Sequence, residues 1–255
     1  MPSPDPNAAR RRAAAECLLE GMVEAGLDLV PPAIVVPVAS PAASSSDAAG
    51  PPASPSQSAA VSTPSPLCGA DLPAIAAAIA VCQQCGLAQQ RHQTVPGEGH
   101  PQARLMFIGE GPGAEEDRSG RPFVGASGQL LEKIIENGMG LSRQEVFIAN
   151  LVKCRPPQNR TPQAEEIASC SPYLEQQITA VAPELIIALG GPAAHYLLNS
   201  NDAVASLRGK ILERPQGGPP ILVTYHPAFL LYEPQRKADC WADIQVAMRF
   251  LGIGQ

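Results

Sequence analysis

The sequence predicts an α/β fold, a three-layer sandwich around a four-stranded parallel sheet, preceded by a disordered extension. One observation is the alternation of short apolar runs with amphipathic stretches of helical length. Another is the distribution of ring side chains: all ten aromatic residues (1 Trp, 4 Tyr, 5 Phe) lie at or after Phe107, while residues 1–66 hold 12 of the 28 prolines. A segment without aromatic residues and rich in Pro, Ala and Ser buries too little apolar surface to offset the entropy of ordering it. The folded unit is therefore placed at residues 67–255.

Within residues 1–30, positions 8–29 read as a short amphipathic helix. Leu18, Leu19, Met22 and Val23 form one stripe and Glu16, Glu20 and Glu24 another. Such a helix either packs on the body or docks a protein partner. From Pro31 to Pro66 there are nine prolines in 36 residues, the composition of an extended, semi-rigid linker. Leu72 to Cys82 is helix-prone. Arg104–Ile108 is a short apolar strand, Ser127–Asn137 an amphipathic helix closed by Gly138, and Val146–Val152 a second strand. Pro162–Val181 is helical, Leu185–Leu189 a buried strand, Pro192–Leu198 a helix, Ile221–Thr224 the fourth strand and Lys237–Leu251 a final helix.

Charge and composition narrow the function classes. The chain carries 18 basic and 24 acidic side chains, a net of −6, so DNA cannot be held by bulk phosphate neutralisation and must rely on a local patch and backbone amides. The uncharged stretches 29–46 and 48–70 are broken by Pro and Ser, which argues against a membrane span. Arg10, Arg11 and Arg12 are followed by acidic residues rather than an export signal's apolar run. Seven cysteines, an odd number, then suit thiols or metal ligands in a reduced cytoplasmic setting better than a disulfide framework. A monomer is expected.

Ligands of parallel sheets bind beyond the carboxyl ends of the strands. Here the four predicted ends carry Gly109-Glu110-Gly111-Pro112-Gly113, Asn150, Gly190-Gly191 and Tyr225-His226-Pro227, which implies one cleft. The glycine loop lacks the third glycine of a dinucleotide fingerprint and offers carboxylates instead, where a pyrophosphate would be repelled. Glycines there let the backbone approach a flat ligand. A second constellation is Cys82-Gln-Gln-Cys85 with Cys154 and Cys170, the four-sulfur pattern of either zinc or an iron–sulfur cluster. Cys154 lies between Lys153 and Arg155, a poor setting for a buried apolar thiol. Cys17, Cys68 and Cys240 read as plain thiols.

Gly109–Gly113, Gly120-Arg-Pro-Phe123-Val-Gly125 with Gly128-Gln-Leu-Leu131, Asn150-Leu-Val-Lys-Cys154-Arg155-Pro-Pro157 with Asn159-Arg160, and His226-Pro-Ala228 together resemble the iron–sulfur (type 4) uracil-DNA glycosylases. The resemblance covers about residues 70–251. It implies a monofunctional DNA-repair hydrolase that flips deoxyuridine out of single- or double-stranded DNA and cleaves its N-glycosidic bond, leaving an abasic site. It also implies that Cys82, Cys85, Cys154 and Cys170 ligate a structural [4Fe-4S] cluster, and that the enzyme works on the nucleoid.

Site roles follow from the same resemblance. Phe123 would stack on the base; Asn150 would read uracil O4 and N3–H; His226 would face O2, where charge develops as the base leaves. Glu110, with main chain from Gly111 and Pro112, would line the pocket and position water, and Glu116 would sit near C5 and exclude thymine. Gly111 stands where better-known uracil glycosylases carry an Asp base, so the base is Glu110, Glu116 or neither, with substrate-driven hydrolysis by an ordered water. DNA contacts would come from Arg155, Asn159, Arg160 and an apolar wedge at Leu230 or Leu231, with Gly190-Gly191 amides on phosphate. Two other classes compete: a uracil-DNA binding protein that forms a covalent adduct, and a non-catalytic metal-binding scaffold. The loop from Cys154 to Pro162 contains no histidine to serve as the adduct's nucleophile.

Overall fold

The computed structural model describes residues 71–254; the expected amino-terminal helix and linker lie outside them. Helix α1 (Leu72–Ala80) opens at Asp71, whose carboxylate caps the Ala74 amide at 3.0 Å. There follow β1 (Glu98–Gly99), β2 (Leu105–Gly109), α2 (Ala114–Ser119) and α3 (Ala126–Lys133). Beyond the second crossover come β3 (Phe147–Asn150), α4 (Ala164–Val181), β4 (Leu185–Leu189), α5 (Gly191–Leu198) and α6 (Val204–Leu207). The chain closes with β5 (Ile211–Leu212), β6 (Ile221–Thr224), α7 (Pro227–Tyr232) and α8 (Lys237–Leu251).

The sheet has six strands in the order β1-β3-β2-β4-β6-β5, a correction to the expected four. The central four are parallel, as expected, and the two additions are short antiparallel edges of two residues each. All residues of β2, β3, β4 and β6 are buried, because helices cover both faces of a parallel sheet. Met106, Ile108, Ala149, Ile186, Ala188, Ile221 and Val223 pack with Leu174 and Ile178 of α4 and Ala194 and Leu197 of α5. Their strand neighbours Phe107, Ile148, Ile187 and Leu222 alternate to the opposite face, where α8 packs on β4 and β6.

A second correction concerns α3. Gly138 does not close it; the helix runs on into a π turn (Ile134–Met139) and ends at Gly140, which adopts the left-handed conformation (φ 71°). Gly138 serves packing instead, since a Cβ there would lie 2.8 Å from the Trp241 ring.

Register places the strand ends side by side. Gly109 pairs with Asn150, and Leu189 with Thr224. The glycine loop, Asn150 and the Tyr225-His226 turn therefore emerge along one edge of the sheet.

Candidate active site and four-cysteine centre

Those ends enclose a cleft of about 260 Å³. It is lined by Glu110, Gly111, Pro112 and Gly113 after β2, by Glu116 and Phe123, by Asn150, and by Asn159, Arg160 and His226. All the residues expected to touch a base thus share one cavity. Ser127, Pro156 and Ala228 also line it; Pro156 and Ala228 lie within the family-like motifs without an assigned role, and Ser127 lies outside them.

At its floor, Gly109 is indispensable as a residue without a side chain. A Cβ there would stand 2.5 Å from Asn150 Oδ1 and 2.5 Å from the Phe123 ring. Asn150 is 1% exposed, and its Oδ1 is buried without a hydrogen-bond partner in the protein. Buried polar groups are nearly always paired, and this one, unlike most, is an acceptor on a residue that lines a cleft.

Phe123 packs at the same point, 6% exposed, with its ring centroid 5.6 Å from that of His226. Its φ of 51° lies in the left-handed region, which costs a non-glycine residue about 1–2 kcal/mol. Gly128 makes the fit possible, because a Cβ there would strike the Phe123 carbonyl at 2.1 Å.

His226 caps α7: its Nδ1 accepts the Ala228 amide at 3.1 Å. Since Nδ1 is an acceptor, the neutral ring carries its proton on Nε2 and presents a donor. Burial lowers the imidazole pKa to about 4, despite the opposing pull of the Glu116 charge. The unfolded chain therefore binds this proton more readily than the folded one between about pH 4 and the ordinary value of 6.5. The neutral ring's contribution to stability is complete above 6.5 and declines as pH falls through that window. Denaturant unfolding at pH 7 and pH 5 should show His226→Gln losing part of the wild-type difference between the two; an unchanged difference would contradict the assignment.

The two carboxylates differ in setting. Glu116 accepts three main-chain amides, Gly113 at 3.1 Å, Val124 at 2.8 Å and Gly125 at 2.9 Å, so its oxygens organise the loop that carries Phe123. Glu110 is half-buried at the strand tip, and burial raises its pKa, partly offset by the Thr161 hydroxyl.

Around the rim, Arg155 Nε donates to Asn159 Oδ1 at 2.8 Å, and Arg160 grips Glu166 through two bonds of 2.6 and 2.8 Å. Leu230 is 1% exposed, so it cannot serve as the wedge. The turn of α7 sends it into the core and leaves Phe229, Leu231 and Tyr232 at 41%, 43% and 84% exposure. The Gly190 amide is also committed, donating to Thr224 O at 2.9 Å.

Behind Asn150 lies the second centre. Cys82 follows α1, Cys85 begins a short 3-10 turn, Cys154 follows β3 and Cys170 lies on α4, and all four line one small cavity with Arg91 and Tyr173. Arg91 Nη1 donates to Cys154 Sγ at 3.1 Å and the Lys153 amide to Cys170 Sγ at 3.2 Å. Donors aimed at sulfur fit thiolates held as ligands. Among the described residues no three His, Cys, Asp or Glu side chains are arranged to hold a single metal ion.

Lys153 departs from the expectation that charge beside Cys154 would keep that segment wet. It is 1% exposed, and Nζ donates to Asn150 O at 2.7 Å and Gln177 Oε1 at 2.6 Å. Nothing in the local sequence marks an inward lysine; its partner Gln177 is 24 residues away.

No helix among the described residues is long and apolar enough to cross a membrane. A family model described as the Uracil DNA glycosylase superfamily matches residues 96–245. The chain is 48% identical over 170 residues to the type-4 uracil-DNA glycosylase of Saccharolobus solfataricus, covering 64% of this chain and 79% of the relative. It is 46% identical over 162 residues to that of Sulfurisphaera tokodaii, covering 61% and 74%. With that of Pyrobaculum aerophilum it shares 43% over 177 residues, covering 67% and 89%.

Proposed function

Because the chain belongs to the uracil-DNA glycosylase superfamily, we infer that its cleft takes one extruded uracil and that the residues described above hydrolyse its bond to deoxyribose. The protein is a monofunctional uracil-DNA glycosylase acting in DNA repair. The observation that carries the site reading is the buried, unpartnered Asn150 Oδ1 at the floor of the cleft. Uracil supplies the missing donor, N3–H, and its O4 accepts from the same amide. Cytosine presents an acceptor at N3 and leaves Oδ1 facing a lone pair, and a site built to bond one pattern rejects its reverse strongly.

The C1′–N1 bond breaks with its electron pair leaving on the base as negative charge on O2; water adds to C1′ and gives up one proton, which balances the departing uracil anion. His226 stands as a neutral donor through Nε2, while Phe123 stacks on the ring and holds it out of the helix. Between the carboxylates, Glu110 is favoured to position the water, since the Glu116 oxygens are occupied by three amides. Leu231 and Tyr232, exposed on α7 after His226, would fill the gap left by the base.

The four cysteines fit a [4Fe-4S] cluster: their side chains line one cavity, and N–H donors face two of the sulfurs. Cys82, Cys85, Cys154 and Cys170 would hold it, and bound there it supplies a structural cross-link between α1, the loop after β3 and α4. The covalent-adduct and scaffold readings are not favoured, given relatives named as glycosylases.

The experiment is direct. Purified protein should be brown, absorb near the blue edge of the visible, and release uracil from single- and double-stranded DNA, measured alongside hypoxanthine and thymine substrates. A colourless protein with one zinc would overturn the cluster, and intact uracil-DNA after incubation would overturn the site.

A further inference from the structure

The reading of Phe123 as the stacking ring leaves open what keeps it in place. Its left-handed backbone is intrinsically unfavourable, so the surroundings must determine it. After Phe123, the Glu116 carboxylate takes the amides of Val124 and Gly125. Before it, one guanidinium does the equivalent on the carbonyl side. Arg143 Nη1 donates to Phe123 O at 3.2 Å and Nη2 to Pro122 O.

The third nitrogen of that guanidinium is fixed too. Arg143 Nε donates to Glu98 Oε1 at 2.6 Å, while the other Glu98 oxygen takes Arg121 Nε at 2.8 Å. Burial works against the Glu98 charge, but Arg121 and Arg143 together hold its carboxyl below the usual range. Glu98 is delivered by the two-residue edge strand β1, flanked by Gly97 and Gly99 with φ of 121° and 138°. A Cβ on Gly99 would lie 1.9 Å from Val146 O. The Arg143 side chain is only 11% exposed, so it is spent on the protein rather than on phosphate.

Resting on the assignment of Phe123 to base stacking, we propose that Arg143 is a positioning residue that fixes the Phe123 ring over the cleft, with Glu98 of β1 orienting its guanidinium. All three nitrogens are used in a planar fork, a geometry that lysine cannot reproduce.

The test is a double-mutant cycle of Arg143→Gln and Phe123→Ala, with kcat/KM for uracil release from a single-stranded oligonucleotide and thermal melting recorded for each protein. A residue acting through Phe123 gives non-additive losses. Arg143→Gln alone should lower kcat/KM roughly tenfold, and should lower it less than twofold further in the Phe123→Ala background. Arg143→Lys should not restore the rate. Additive losses, or full rescue by lysine, would overturn the proposal while leaving the stacking assignment standing if Phe123→Ala is impaired. Wild-type kinetics in Phe123→Ala would overturn both. If Arg143→Gln does not fold, Glu98→Gln in the same cycle carries the test, with the same non-additivity required.

Discussion

His226→Ala is expected to lower the single-turnover rate of uracil release by roughly 10²–10³ with binding of uracil-DNA much less affected. A donor aimed at charge that exists only as the bond breaks acts on the transition state and little on the ground state. The structure gives the imidazole what that role requires: Nδ1 is engaged by the Ala228 amide, which leaves the Nε2 proton for the cleft, and burial keeps the ring neutral at physiological pH. His226→Gln, which retains a donor, should recover part of the loss. As pH falls through about 4 the ring protonates, Nδ1–H then opposes the Ala228 amide, and the cap breaks; the rate should decline there and not near 6.5. A near wild-type rate for His226→Ala would remove the residue from the mechanism.

Asn150→Ala should be comparably damaging and differ in kind. It removes both the acceptor for N3–H and the donor for O4, so ground-state capture of the flipped base is lost along with rate. We expect kcat/KM to fall by about two to three orders of magnitude, with free uracil weakened as a product inhibitor. The cavity left beside Gly109 and Phe123 is small, and Lys153 bonds the Asn150 main chain rather than its side chain, so the fold and the colour of the protein should survive. Retained inhibition by free uracil would show that the amide does not read the base.

Much of this arrangement was legible in the sequence. Each central strand is a short apolar run ending in a residue unlike the run itself, so the strand ends and their shared edge could be read from the chain. The edges could not: Glu98–Gly99 and Ile211–Leu212 are two residues long, too short for any period, and their pairing is set by the neighbouring strand. The end of α3 was misplaced because Gly138 and Gly140 look alike in sequence, and only the folded chain distinguishes them, through packing against Trp241 at one and a left-handed backbone at the other. The orientation of Leu230 depends on the phase of a six-residue helix, which a flanking motif does not fix. Arg143 and Lys153 were missed for a common reason. Their side-chain partners, Glu98 and Gln177, are distant in sequence, and a charged side chain turned inward leaves no local pattern.

The stretch from Asn150 to Cys154 has a consequence for how such an enzyme would fail. Five consecutive residues carry the amide at the floor of the cleft, the inward lysine that anchors it to α4, and one of the four cysteines. On the assignments proposed above, injury to the four-cysteine centre would loosen the same peptide that carries the amide facing the base. Breakdown and blindness would then coincide.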